Sequence, residues 1–163
     1  MARHHHSFAK ESIVTGALGA ATVAVWFLIL DTIAGRPLAT PNVLGQVILF
    51  GRTDPVPTPI HWPAVLGYTS LHVAAFVLFG MVVTWLVFRA DRSAIALFAL
   101  FMLSVVFEGF FYGLVAMLSI GTTLFPAWTV LGANALAAAA MGGYLVARHP
   151  AMRRRLAREP LGA

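Results

Sequence analysis

Long apolar runs, separated by short polar breaks, dominate this chain. A bilayer core about 30 Å thick needs ~20 apolar residues to be crossed by a helix. Four runs meet that requirement, at about 13–34, 64–88, 93–119 and 126–147. The pattern predicts an all-α integral membrane protein, with the whole chain forming one membrane domain. Its expected architecture is an antiparallel four-helix transmembrane bundle with a short outer interfacial helix in the first loop.

The breaks carry their own signals. Between the second and third runs lie only Arg89-Ala90-Asp91-Arg92-Ser93, so those runs form a hairpin in which Asp91 or Ser93 caps the third. The third break is uncharged around Gly121-Thr122-Thr123, and Pro126 suits the first turn of the fourth run. Trp62 and Trp128 fall where indoles favour the outer interface. The outer loop, 35–63, is longer and holds six of the nine prolines. Within it, Thr40 reads as an N-cap, Pro41 as a first helical residue and Gly51 as a terminating glycine. The segment between is too short to span, so it is expected to lie at the outer interface.

Composition supports the membrane reading. The chain is 60% hydrophobic and 10% charged, against about 25% charged in a soluble domain. It has no cysteine, which excludes disulfides, thiol redox chemistry and cysteine nucleophiles. The net charge of +5 is unevenly placed. Arg3, Lys10, Arg89, Arg92, Arg148, Arg153, Arg154, Arg155 and Arg158 fall on one side of the four runs, and only Arg36 and Arg52 on the other. The positive-inside bias puts both termini in the cytoplasm of a bacterial-type inner membrane. The basic tail, 148–163, offers Arg148, Arg153, Arg154, Arg155 and Arg158 to anionic lipid headgroups, at about 1 kcal/mol per charge. The first run is too long for the core of a cleaved signal peptide and is read as a retained helix.

Ionisable residues inside a span are rare, because each must find a partner. His72, Glu108, Asn134 and Trp26 each lie roughly 12–16 Å from the outer end of their runs, by a rise of about 1.5 Å per residue. They define one polar layer. Tyr68 stands four residues from His72, Ser104 and Tyr112 flank Glu108 at the same spacing, and Thr22 is four from Trp26. A His72–Glu108 hydrogen bond is the expected centre of the layer. Asp31 and Arg36 read as a pair at the outer surface.

Stripes of small residues let helices approach closely where lipid provides no hydrophobic drive. Gly16, Ala20 and Ala24 form one stripe, Ala135, Ala139 and Gly143 another, and Gly109 with Gly113 a third. Met81, Met102 and Met141 fall near one level and read as gap-filling rather than copper ligands. No nucleotide-binding, metalloprotease or nucleophile-elbow motif is present. The only lysine, Lys10, lies outside the runs, so an intramembrane Schiff base is excluded.

Two functional readings follow. In the first, the protein is a non-enzymatic accessory, assembly or stabilising subunit. It acts through lateral helix contacts with a larger complex or a second copy, requires no cofactor and binds no nucleic acid. In the second, the His72/Glu108 layer moves protons or ions, or holds a small ligand such as a quinone, lipid, haem or chlorophyll. The first predicts an outward apolar face rich in small residues. The second predicts a pocket opening onto the polar layer.

Overall fold

The structure, a computed structural model, describes residues 8–90 and 126–150. Within them the chain is helical, with no strand. The elements are α1 (Phe8–Ile33), α2 (Ala39–Phe50), α3 (Trp62–Ala90) and α4 (Ala127–Arg148). By length and composition α1, α3 and α4 can each cross a membrane, and α2 cannot. Only 22% of the most apolar stretch of α1 and of α3, and 28% of that of α4, is buried within the protein. Apolar side chains therefore dominate the outside as well, with Ile33, Leu66 and Leu78 more than three-fifths exposed. Such a surface suits lipid and not water. The run at 93–119, with its Gly109–Gly113 motif and Met102, lies outside the described residues, as do the caps expected at Asp91 and Ser93.

Helix ends follow local chemistry. After α1, Gly35 takes φ 69°, its N–H donates to Thr32 O, and the Arg36 N–H donates to Asp31 O. This is the two-bond Schellman closure, which needs a left-handed residue and so favours glycine. Gly51, at φ 62°, ends α2 as expected. The start of α2 differs from the sequence reading. The helix begins at Ala39, preceded by Leu38 in the left-handed region at φ 66°, and Thr40 lies inside the first turn. The cap comes instead from α1. Asp31 accepts from the Thr40 N–H at 2.7 Å and from the Thr40 hydroxyl at 2.8 Å. A carboxylate at a helix N-terminus satisfies orphan N–H groups and suits the dipole. The next helix, α3, is capped by His61, whose Nδ1 accepts from the Ala64 N–H at 3.3 Å.

α1 is the central element, packing broadly on both α3 and α4, which scarcely touch each other. α2 packs on α3. Two backbone approaches set these contacts. A Cβ at Gly80 would lie 2.6 Å from both Gly16 N and Ser12 O, and a Cβ at Gly45 would collide with Ala64 O. Only glycine permits helices to come so close. Ala20, Phe76, Val83, Val87, Ala137, Met141 and Leu145 form the core beside the first approach. Of the predicted small-residue stripes, Gly16 and Ala20 are buried, whereas Ala24, Ala135, Ala139 and Gly143 are exposed.

The Pro-rich segment after α2 is tied down by two amides on consecutive turns of that helix. The Asn42 amide donates to the carbonyls of Val56, Pro57 and Pro59 at 3.0–3.3 Å, and its Oδ1 accepts from the His61 N–H at 2.9 Å. The Gln46 amide donates to Val56 O at 2.8 Å, and its Oε1 accepts from Val56 N and Arg52 Nη1. Both side chains are almost completely buried. A chain with many prolines lacks N–H donors to pair with its own carbonyls. The two amides provide them.

Candidate functional site

Among the described residues, a cavity of about 250 Å³ lies between α1, α2 and α3. Its walls are mostly apolar, from Val23, Phe27 and Leu28 of α1 to Leu38 and Pro41 at the start of α2. Five polar residues interrupt them: Asp31 and Thr40 at one end, and Tyr68, Thr69 and His72 on α3. Close packing normally leaves few voids larger than a water molecule. A void of this size beside a histidine is therefore the leading candidate for a ligand site.

The polar groups differ in what they can still do. The Asp31 carboxylate is occupied by Thr40. The His72 Nε2–H donates to the backbone carbonyl of Ala20 at 3.2 Å. A carbonyl can only accept, so Nε2 carries the proton, and Nδ1 of the neutral ring is an acceptor. The Tyr68 ring stacks on His72 with centroids 5.9 Å apart, as their four-residue spacing predicts, and Phe76 packs on the other side at 4.8 Å. The imidazole is thus held on two sides with one nitrogen committed. Among the described residues, no lysine or arginine lines the cavity.

The rest of the predicted layer is distributed differently. Trp26 turns away to α4, where its Nε1–H donates to Thr129 O at 2.9 Å and its ring covers Gly132. Thr22 bonds back to Leu18 O in its own helix at 2.8 Å. The Asn134 Nδ2 atom is buried and makes no hydrogen bond. Glu108, Ser104 and Tyr112 lie outside the described residues, as do Arg153, Arg154, Arg155 and Arg158. Arg148 places its guanidinium 5.8 Å from the centre of the Tyr144 ring. The carboxylate of Asp31 serves Thr40, while Arg36 contributes its backbone N–H to the end of α1.

A second polar centre is absent from the sequence reading. The His149 Nε2–H donates to Glu11 Oε2 at 3.1 Å, joining the start of α1 to the end of α4. Both side chains are nearly buried, at 10% and 3% exposure. Ser12, Thr15 and Thr84 are buried beside them on α1 and α3. The expected spans began at Ile13 and ended at Ala147, which left Glu11 and His149 in the flanks. The available signal was a carboxylate and an imidazole, each two residues beyond the end of an apolar run.

No family model, no curated protein and no solved structure matches the chain.

Proposed function

We propose that this is a multi-pass membrane protein that holds a neutral, mostly apolar small molecule between α1, α2 and α3. The observation that carries this reading is the cavity beside His72 and Tyr68. Its apolar wall would take a hydrocarbon body or ring. A hydroxyl on the ligand satisfies both polar groups at once, donating to His72 Nδ1 and accepting from Tyr68; a carbonyl accepts from Tyr68 alone. The Asp31 carboxylate, with no cation among the described lining residues, disfavours an anionic headgroup. The expected ligand class is therefore a quinone, a quinol or a neutral hydroxylated lipid. The test is thermal unfolding of the detergent-solubilised protein with decylubiquinone, its quinol or decanol. Stabilisation of the wild type, lost in Ala24→Phe, supports the reading, since Ala24 lines the cavity. Unchanged melting with all three ligands would refute it.

The topology proposed with it is an antiparallel bundle in a bacterial-type inner membrane, with α2 at the outer end and both termini cytoplasmic. It is supported by the paired positions Phe8–Phe88, Gly16–Gly80 and Ala20–His72, whose numbers rise on one helix and fall on the other. The distribution of arginines supports the orientation. Single cysteines introduced at Thr53 and Ser7 should be labelled from opposite sides. Labelling of both from outside would refute this topology.

One observation favours a second reading, that of an accessory or assembly subunit. Ala135, Ala139 and Gly143 are exposed on one side of α4, and among the described residues nothing lies within 4 Å of a Cβ at Gly143. Such a face allows another helix to approach closely. Ala139→Trp should then reduce assembly size in native mass spectrometry without lowering the melting temperature of the monomer.

A further inference from the structure

The cavity beside His72 holds hydrogen-bond donors and acceptors in unequal number. A helix N-terminus ordinarily offers unpaired N–H groups to its surroundings. At the start of α2, which lines this cavity, they are already engaged. The Ala39 N–H donates to Arg36 O, the Thr40 N–H to Asp31 Oδ2 and the Asn42 N–H to Leu38 O. Pro41 between them has no N–H. The lining side chains are committed in the same sense. Thr40 gives its hydroxyl proton to Asp31 Oδ1, Thr69 gives its own to Val65 O, and His72 gives its ring proton to Ala20 O. Among the described lining side chains, only the Tyr68 hydroxyl keeps a proton to donate.

Acceptors remain at both ends. The Thr40 and Thr69 oxygens each donate once and retain lone pairs, and each Asp31 oxygen accepts one bond with capacity for another. On α3, His72 Nδ1 is an acceptor on a ring held between Tyr68 and Phe76. Size narrows the ligand further. A void of about 150 Å³ holds a benzene ring, so about 250 Å³ takes one substituted six-membered ring. Val25 and Leu28 line the cavity and are 54% and 43% exposed, which gives an alkyl tail a path along α1 into lipid.

We propose that the cavity selects its ligand by the protons the ligand donates, taking the hydroquinone form of a tailed ring in preference to the quinone form. The selection rests on the ligand site proposed above. The two forms share one skeleton and differ in their hydrogen bonding. The hydroquinone brings two O–H donors to a site rich in acceptors, and the quinone brings only acceptors to a site with one donor. Lone pairs that face lone pairs bear the desolvation cost with no bond in return. The Ala20 carbonyl is a positioning group in this scheme: by holding the Nε2 proton it leaves Nδ1 as the acceptor.

The test is thermal unfolding of the full-length protein in detergent, without oxygen, titrated with decylubiquinol and separately with decylubiquinone. The quinol should reach half of its stabilisation at a concentration at least about tenfold lower, the effect of roughly one hydrogen bond. Two variants should move this preference in opposite directions. His72→Phe keeps a ring between Tyr68 and Phe76 and removes the acceptor, so the quinol should lose its advantage. Tyr68→Phe removes the donor, so quinone binding should weaken most and the advantage should grow. Should one variant fail to fold, the other carries the test with the direction stated for it. Equal or tighter binding of the quinone to the wild type would overturn the selection and leave the ligand site standing. No stabilisation by either form would overturn both. An unchanged preference in the folded variants would also overturn the selection, by placing the ring away from His72 and Tyr68.

Discussion

The two ends of the bundle solve the same problem in different ways. Around α2, the buried polar side chains are matched to partners. Asn42 and Gln46 bind the proline segment, Asp31 caps α2, and His61 caps α3. At the Glu11 end, a hydrogen bond from His149 to Glu11 joins α1 to α4, and the buried hydroxyls of Ser12, Thr15 and Thr84 stand without hydrogen bonds. The α2 end has a loop of proline carbonyls to organise, and its amides have that structural task. The Glu11 end has no such loop among the described residues, and its helices already meet through glycine. Polar groups there are not needed to order the backbone. The difference separates polarity that orders a loop from polarity buried between helices that meet without it.

Breaking the Glu11–His149 contact should have the largest effect. Glu11→Leu or His149→Leu alone removes one side of a nearly buried polar contact and should cost about 3 kcal/mol. The double variant should recover much of that loss, as a double-mutant cycle of unfolding in mixed micelles would show. Simple additivity would mean that the pair contributes nothing as a unit, which would break the contrast drawn here.

Asn42→Leu comes next. It removes the donor shared by three carbonyls and the acceptor for His61. A loss of about 2 kcal/mol is expected, because the carbonyls freed in the exposed loop can turn to water. Limited proteolysis between Arg52 and Ile60 should accelerate. An unchanged cleavage rate would show that the prolines order the segment by themselves.

The glycines test how far each contact depends on close approach. Gly80→Ala forces a methyl group against the α1 backbone and should cost about 1–3 kcal/mol. Gly143→Ala is the smallest expected change. Among the described residues nothing lies within 4 Å of its Cβ position, so alanine should be neutral or stabilise by up to about 1 kcal/mol through helix propensity. If Gly143→Ala were as damaging as Gly80→Ala, the exposed face of α4 would be a working interface and not a lipid-facing surface.

Much of the helical layout is legible in the chain itself. In lipid, an apolar segment can satisfy its backbone only within a helix or a closed barrel. Runs at 13–34, 64–88 and 126–147 therefore became α1, α3 and α4 with ends shifted by one to five residues. Gly51 ended α2 because a left-handed terminal residue needs no Cβ. Periodicity also placed Tyr68 and His72 together, since residues four apart share a face whatever surrounds them. It could not say which neighbour each face meets. Asp31 has Arg36 close in sequence but bonds to Thr40, and Trp26 belongs to the predicted layer but reaches Thr129 on α4. Glu11 and His149 are 138 positions apart, and no local pattern links them. The rotation of each helix is decided where backbones touch, at Gly16–Gly80 and at Gly45–Ala64. Those contacts turn His72 toward the cavity and bury Ser12, Thr15 and Thr84. One-dimensional periodicity determined the helices and their faces, and only the three-dimensional fit of one backbone against another decided the site.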